Sequence, residues 1–298
     1  IDAVNMLAKA YWQVDLELSI ESGNSALKLS EQLNYKKGEA EAIKNIGGAH
    51  YFLGDYDIAV ELFVESLELR KEIGDNTDII NALNNLGIVQ ESLNNFEQAL
   101  EYYLESMDIE SEVGNKDGIA GSLNNIGMVY EKLSDYNKAL EYFRRAEDVY
   151  KEIGNKYGQA LTLDNIGSIF RVLTNYDKSI EYHLRALKIH EEIDDKTGIA
   201  RTLGNIGMIY DNIGEREKAL DYYHRSLKME EELGNSFGIA GILNNIGIIY
   251  DDMKQYDMAI DYYIDSHDIY KDISNPNGIA DASNKSGVAG FFFLKYNE

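Results

Sequence analysis

A short pattern recurs along this sequence with a fixed step of 40 residues, and that period constrains the fold more than any other feature. One position of the pattern is glycine in seven successive copies: Gly47, Gly87, Gly127, Gly167, Gly207, Gly247 and Gly287. Asparagine stands two residues before six of them, at Asn45, Asn85, Asn125, Asn165, Asn205 and Asn245. A fixed period of this size is the signature of a repeat architecture that stacks one supersecondary unit on the next.

Each copy of the pattern predicts two helices. In one copy, helical spacing places a first apolar stripe at Leu123, Ile126, Gly127, Tyr130 and Leu133. A second stripe follows at Ala139, Leu140, Phe143, Ala146, Val149, Tyr150 and Ile153. Ser134-Asp135 predicts the break between the helices, and Gly154-Asn155 predicts the end of the second one. Since glycine inside a helix costs about 1 kcal/mol relative to alanine, its recurrence at one helical site indicates close packing there.

The Leu-x-x-Ile-Gly-x-x-Tyr run that ends at Tyr130, followed by Ala139, Phe143 and Ala146, resembles the tetratricopeptide repeat family over nearly the whole chain. The resemblance implies an all-α, right-handed superhelical solenoid of antiparallel helix pairs. The commonest repeat of that family has about 34 residues and a closing proline. Here the period is 40 and the proline position holds other residues, so we expect the second helix to continue for about another turn. Repeats of this length are similar to those of kinesin light chains, spindle-orientation adaptors and bacterial peptide-pheromone receptors.

We expect a single solenoid over residues 1–298. An atypical first repeat spans 1–34, six full repeats span 35–274, and 275–298 is the first helix of a further, truncated repeat. In that last segment, the second helix that should cover Phe291, Phe292, Phe293 and Leu294 is missing. We therefore expect that the chain is a fragment of a longer protein and that this end supports homo-oligomerisation.

The charge and composition exclude several classes of function. There are 52 acidic and 28 basic residues, for a net charge of −24. This charge argues against binding to nucleic acids or to anionic membranes. Cysteine is absent, which excludes disulfides and thiolate sites and fits a cytoplasmic protein. The alternative location is the extracytoplasmic sensor region of a membrane-anchored protein.

The residue types that perform catalysis form no recognisable arrangement in the sequence. The five histidines occupy different positions of the repeat and form no metal-binding pair, and no glycine-rich phosphate loop is present. His183 falls at an aromatic core position, which favours a packed side chain. We therefore expect no catalytic residue, metal site or cofactor, and we do not expect an enzyme.

The asparagine column is the strongest binding signal. At about 100° per residue, Asn125 falls almost opposite the apolar stripe of its helix. Asparagine is a poor helix former, but its amide both donates and accepts hydrogen bonds, as the backbone of an extended peptide does. Beside it runs an apolar column, broken by Gly48 and Ser168, at Ile88, Met128, Met208 and Ile248. We call the helix side that carries these two columns the asparagine face.

The family resemblance implies that the first helices line the inside of the curve, so that the asparagine face is a concave groove. It also implies that the asparagines hold the backbone of a peptide, as in the family's peptide receptors. Arg171 and Arg201 are placed in the same groove, where they would read an acidic group. Lys44 is one candidate for a clamp on a terminal carboxylate, but Gly48 and Asn85 do not complete that set.

Two interpretations of the asparagines remain open. The first is a scaffold that binds a peptide or protein segment, as the sensory or interaction module of a larger bacterial signalling protein. The second is a scaffold for self-association with no groove ligand, in which the asparagines bond one helix to the next.

Overall fold

The computed structural model describes residues 1–297, without the side chains of residues 13, 288 and 290–297. Within that part of the chain, every regular element is helical and there is no strand, which confirms the all-α prediction. The chain divides into two units, unit 1 over 1–153 and unit 2 over 154–298.

Unit 1 contains eight helices and one short 3-10 helix, Tyr11–Gln13. The helices are α1 Asp2–Ala10, α2 Leu16–Gln32, α3 Lys36–Leu53, α4 Tyr56–Ile73, α5 Asn76–Ser92, α6 Phe96–Val113, α7 Lys116–Lys132 and α8 Tyr136–Ile153. Each helix packs against the next one along the chain, as expected for stacked helix pairs.

Unit 2 continues the pattern with seven helices among the described residues. They are α9 Lys156–Val172, α10 Tyr176–Glu192, α11 Lys196–Asn212, α12 Arg216–Leu233, α13 Ser236–Asp252, α14 Tyr256–Asp272 and α15 Pro276–Asn297. Here too, consecutive helices pack against each other. Pro276 is the first residue of α15, where its missing N–H costs no helical hydrogen bond.

The turns fall where the sequence predicts them. Ser134 has φ 59° and Gly154 has φ 74°, so each of these two breaks contains one residue in the left-handed region. After a break between two repeats, an asparagine caps the first helix of the following repeat. The side chain of Asn115, for example, accepts a hydrogen bond from the backbone N–H of Gly118 at 3.1 Å. Local turn chemistry therefore sets the helix boundaries.

The recurring glycine makes room for an aromatic ring of the following helix. A Cβ at Gly127 would lie 2.7 Å from the ring of Phe143, which is fully buried, and a Cβ at Gly207 would lie 2.8 Å from Tyr223. The sequence predicts close approach at this position, and the structure shows that a ring fills the space.

This packing predicts opposite effects for two glycines of α7. Gly127→Ala adds a methyl group against Phe143, and such overpacking costs about 1–3 kcal/mol, only partly offset by a helix-propensity gain of about 1 kcal/mol. We expect a net loss of about 1 kcal/mol in the free energy of unfolding, measured by chemical denaturation. Gly121→Ala is the matched control, because the nearest atom to its Cβ is the Tyr150 hydroxyl at 3.7 Å. A stabilising effect of both substitutions would contradict this packing.

In several helix pairs, another aromatic ring of the second helix stacks on a ring near the end of the first helix. Tyr142 stacks on Tyr130 with ring centroids 5.4 Å apart, and Lys138 and Arg145 lie over the two rings. In unit 2 the same stack recurs at Phe170–Tyr182, Tyr210–Tyr222 and Tyr250–Tyr262. These rings hold the two helices of a pair together at the turn that joins them.

The predicted association through the end of the chain stays a prediction. It rests on the side chains of Phe291, Phe292, Phe293 and Leu294, which lie outside the described set.

Among the described residues, no helix combines the length and the apolar character that crossing a membrane requires.

Candidate functional site

In unit 1, the asparagine face of α5 and α7 is partly open. Asn85 and Asn125 are half-buried, and neither side chain hydrogen bonds to another described residue. Beside them, Ile88 is 43% exposed and Met128 is 36% exposed. Polar amides and exposed apolar side chains therefore lie together on this face, as the sequence predicts.

Asn45 on α3 is different, because its side chain is fully buried. Its Nδ2 donates to the backbone oxygen of Asn5 on α1 at 2.9 Å. The indole Nε1 of Trp12 donates to the backbone oxygen of Asn45 at 3.0 Å, and the indole ring packs against Gly48. Asn45 thus joins α3 to α1 and is not available to a ligand, which corrects its assignment to the open groove.

Unit 2 carries the other three asparagines, on α9, α11 and α13. Asn165, Asn205 and Asn245 are half-buried, as are Met208 and Ile248. Asn165 already interacts with another part of the chain. Asn205 and Asn245 have no side-chain hydrogen bond within the described part of unit 2.

The two arginines predicted to lie in the groove differ in their exposure to solvent. Arg171 is half-buried near the end of α9. Arg201 is 45% exposed, and its Nη2 lies 3.3 Å from Oδ2 of Asp164. An internal carboxylate therefore already neutralises part of the charge that Arg201 was expected to offer to a ligand. The ammonium of Lys44, the clamp candidate, is likewise paired with Glu41.

Asp164 organises a buried polar network that the sequence analysis missed. Its Oδ1 lies 2.8 Å from Nδ1 of His183, and its Oδ2 accepts a hydrogen bond from Thr202 at 2.8 Å. His190 Nε2 lies 3.4 Å from the same Oδ2. Burial alone would raise the pKa of Asp164, but the hydrogen bonds from these partners and the charge of His183 hold that pKa well below its usual range.

One signal in the sequence could have revealed this network. In its copy of the repeat, Asp164 stands where four other copies have asparagine, and His183 stands where the other full repeats have Phe or Tyr. His183 is packed and fully buried, as predicted, but it is also hydrogen bonded. Substitutions that depart together from a repeat pattern indicate side chains that interact with each other.

Unit 1 contains a comparable network around Arg70 on α4. The guanidinium is buried; its Nη2 lies 2.8 Å from Glu41 and its Nη1 lies 3.0 Å from Asp78. Because Glu41 is on α3 and Asp78 is on α5, Arg70 links three consecutive helices. Among the described residues of both units, no group of three or more acidic or histidine side chains is arranged to hold a metal ion.

Comparison with solved structures shows the same fold in several proteins. BtubC from P. vanneervenii is 21% identical, with a TM-score of 0.65 over 74% of this chain and 93% of that one. A Rap protein solved in complex with competence and sporulation factor is 14% identical, with a TM-score of 0.61 over 94% of this chain and 87% of that one. A signal transduction ATPase with a tetratricopeptide repeat sensor from Pyrococcus horikoshii is 15% identical, with a TM-score of 0.65 over 99% and 48% of the two chains.

Comparison with curated protein sequences found no match. Family models described as tetratricopeptide repeat match residues 38–110, 78–152, 158–232 and 239–279. These ranges include the helix pairs, the glycine column and the asparagine face described above. The chain belongs to the tetratricopeptide repeat family.

Proposed function

We propose that the asparagine face binds an extended peptide or protein segment. Family membership makes the chain a protein-interaction scaffold, and the proposal concerns which surface is used and what it holds. The observation that carries it is that each unit has side-chain amides without partners on otherwise well-packed helices, Asn85 and Asn125 in unit 1 and Asn205 and Asn245 in unit 2. Asn45 has no part in this site.

The chemistry of the face suits a peptide backbone. Each asparagine amide offers a donor and an acceptor, matching the N–H and C=O of an extended segment. The neighbouring Ile88 and Met128 in unit 1, and Met208 and Ile248 in unit 2, supply apolar contacts for side chains of the segment. The net charge of −24 favours a neutral or basic segment over an acidic one.

Two of the similar structures support a place in signalling. One is a Rap protein solved with competence and sporulation factor, and another carries a tetratricopeptide repeat sensor on a signal transduction ATPase. By analogy, we infer that this chain is the sensory or interaction module of a larger bacterial signalling protein, without catalysis of its own. The alternative interpretation is a self-associating scaffold that uses its asparagines to join helices. The hydrogen bond from Asn45 to α1 favours this interpretation at that one asparagine.

A peptide selected from a random display library against the full chain tests the proposal. We expect the double variant Asn205→Ala and Asn245→Ala to weaken its binding about tenfold or more, because each lost hydrogen bond contributes about 0.5–1.5 kcal/mol. Binding is measured by calorimetry. Asn137→Ala is the control, since that asparagine is exposed on α8, a second helix.

The melting temperature of the same double variant distinguishes the two interpretations. With a groove ligand, removing the amides leaves the fold as stable as before or slightly more stable, since alanine is the better helix former. A large drop in melting temperature, or unchanged peptide affinity, would contradict peptide binding by these residues and favour the self-associating scaffold.

A further inference from the structure

A pocket of about 350 Å³ lies within unit 2, between α11 and α13. It opens beside Asn205 and Asn245 of the asparagine face, and Gly204, Gly241, Met208 and Ile242 form part of its lining. Its volume is at the lower end of the range of about 300–1,000 Å³ that is typical of ligand pockets. It is therefore large enough for one side chain of a bound segment.

Two glycines create this space, and neither is required by packing. A Cβ at Gly204 would meet its nearest neighbour, Ile242, at an ordinary 3.4 Å, and one at Gly241 would lie 3.7 Å from the Tyr270 hydroxyl. Glycine is unfavourable within a helix, so these positions leave a cavity open at a cost to stability. In unit 1, Asn84 stands at the repeat position that corresponds to Gly204.

The lining is largely apolar beside the charged Arg201 and Glu230, and it includes a large exposed ring. Phe237 is 58% exposed, and its ring meets that of Tyr270 edge-on with centroids 6.0 Å apart. Met208 and Ile242 are only half-buried. Apolar side chains around a recess next to unpartnered amides are the usual composition of a site that takes an apolar anchor.

We propose that this pocket is the anchor site of the bound segment, taking an apolar side chain of leucine to phenylalanine size. Asn205 and Asn245 hold the adjoining backbone of the segment. This inference rests on the proposed function and adds to it the residue type that the segment carries at one position.

The test uses N-acetyl-leucine amide, an uncharged probe with one apolar side chain, added to the full chain labelled at methionine and isoleucine methyl groups. We expect saturable shifts of the Met208 and Ile242 resonances, with a dissociation constant on the order of millimolar for so small a molecule. The Met128 resonance in unit 1 serves as an internal control. No saturable shift at Met208 and Ile242 would overturn the proposal.

One comparison sharpens the result. Gly204→Asn, which places the residue common at this repeat position into the pocket, should weaken probe binding at least tenfold, whereas Gly121→Asn in unit 1 should not change it. Equal binding to Gly204→Asn and wild type would overturn the proposal.

The failure of this inference is distinguishable from failure of the proposed function. If Gly204→Asn binds the library-selected peptide as tightly as wild type does, and the Asn205→Ala and Asn245→Ala variant does not, then the asparagine face binds peptide without this anchor. If the double variant also binds as tightly as wild type, the proposed function itself is wrong for the asparagines of unit 2.

Discussion

Replacing Asp164 by alanine is expected to lower the free energy of unfolding of the full chain by about 3–5 kcal/mol, which is the usual cost of removing one partner from a buried charged network. The carboxylate holds His183 and Thr202 at 2.8 Å each and also lies near His190 and Arg201. Without it, the fully buried imidazole of His183 and the buried hydroxyl of Thr202 lose the carboxylate that partners them. Chemical denaturation followed by circular dichroism measures the change.

The matched control is Asn84→Ala, at the same repeat position on α5. Asn84 is half-buried, and its Oδ1 has no hydrogen-bond partner among the described residues. We expect a change below about 1 kcal/mol there. A similarly small loss for Asp164→Ala would show that the network contributes little to stability.

The low pKa of Asp164 adds a dependence on pH. Because the folded-state pKa is depressed, the carboxylate contributes stability that is fully present above its unfolded pKa of about 3.9 and is lost as the pH falls toward the folded-state pKa. Below about pH 4, wild type should therefore lose stability more steeply than Asp164→Asn, which does not titrate. Parallel curves for the two proteins between pH 5 and 3 would contradict this assignment.

Replacing Arg70 by alanine is expected to cost about 3 kcal/mol, at the lower end of the range for a broken buried ion pair because Glu41 and Asp78 are partly exposed. The substitution also removes the packing of the buried alkyl stem. Since stability in repeat proteins is carried by neighbouring helices, we expect hydrogen exchange to accelerate mainly in α3, α4 and α5.

Lys71→Ala provides the control in the same helix. Lys71 pairs with Glu105 at 3.1 Å, but both side chains are more than 40% exposed, and such pairs contribute about 0–1 kcal/mol. Arg70→Lys should recover only part of the loss, because an ammonium cannot bridge two carboxylates as a guanidinium does. Equal effects of Arg70→Ala and Lys71→Ala would show that Arg70 does not link the three helices.

The helix pairs could be predicted from the sequence because their determinants are local. The period of 40, the apolar stripes and the turns at Ser134 and Gly154 specify the helix boundaries without any long-range contact. The glycine column predicted close packing, although the ring that fills each space came only from the structure. Repetition helped, since each copy of the repeat confirms the pattern of the others.

The exceptions to the repeat could not be predicted in this way. Asn45 occupies the same repeat position as Asn85, yet it is buried because Trp12, in the atypical first repeat, packs over Gly48. The partners of Asp164 lie 19 residues away at His183 and 38 away at Thr202, on two other helices. Their joint departure from the repeat pattern indicates an interaction, but the three-dimensional packing shows which atoms meet.

The side-chain amide resonances of the asparagines test the central claim most directly. With asparagine labelled by ¹⁵N and the resonances assigned by single substitutions, the library-selected peptide is titrated into the full chain. We predict that the amides of Asn205 and Asn245 shift on binding, while the buried amide of Asn45, already bonded to Asn5, does not. A bound peptide that leaves Asn85, Asn125, Asn205 and Asn245 unshifted would contradict peptide recognition by the asparagine face.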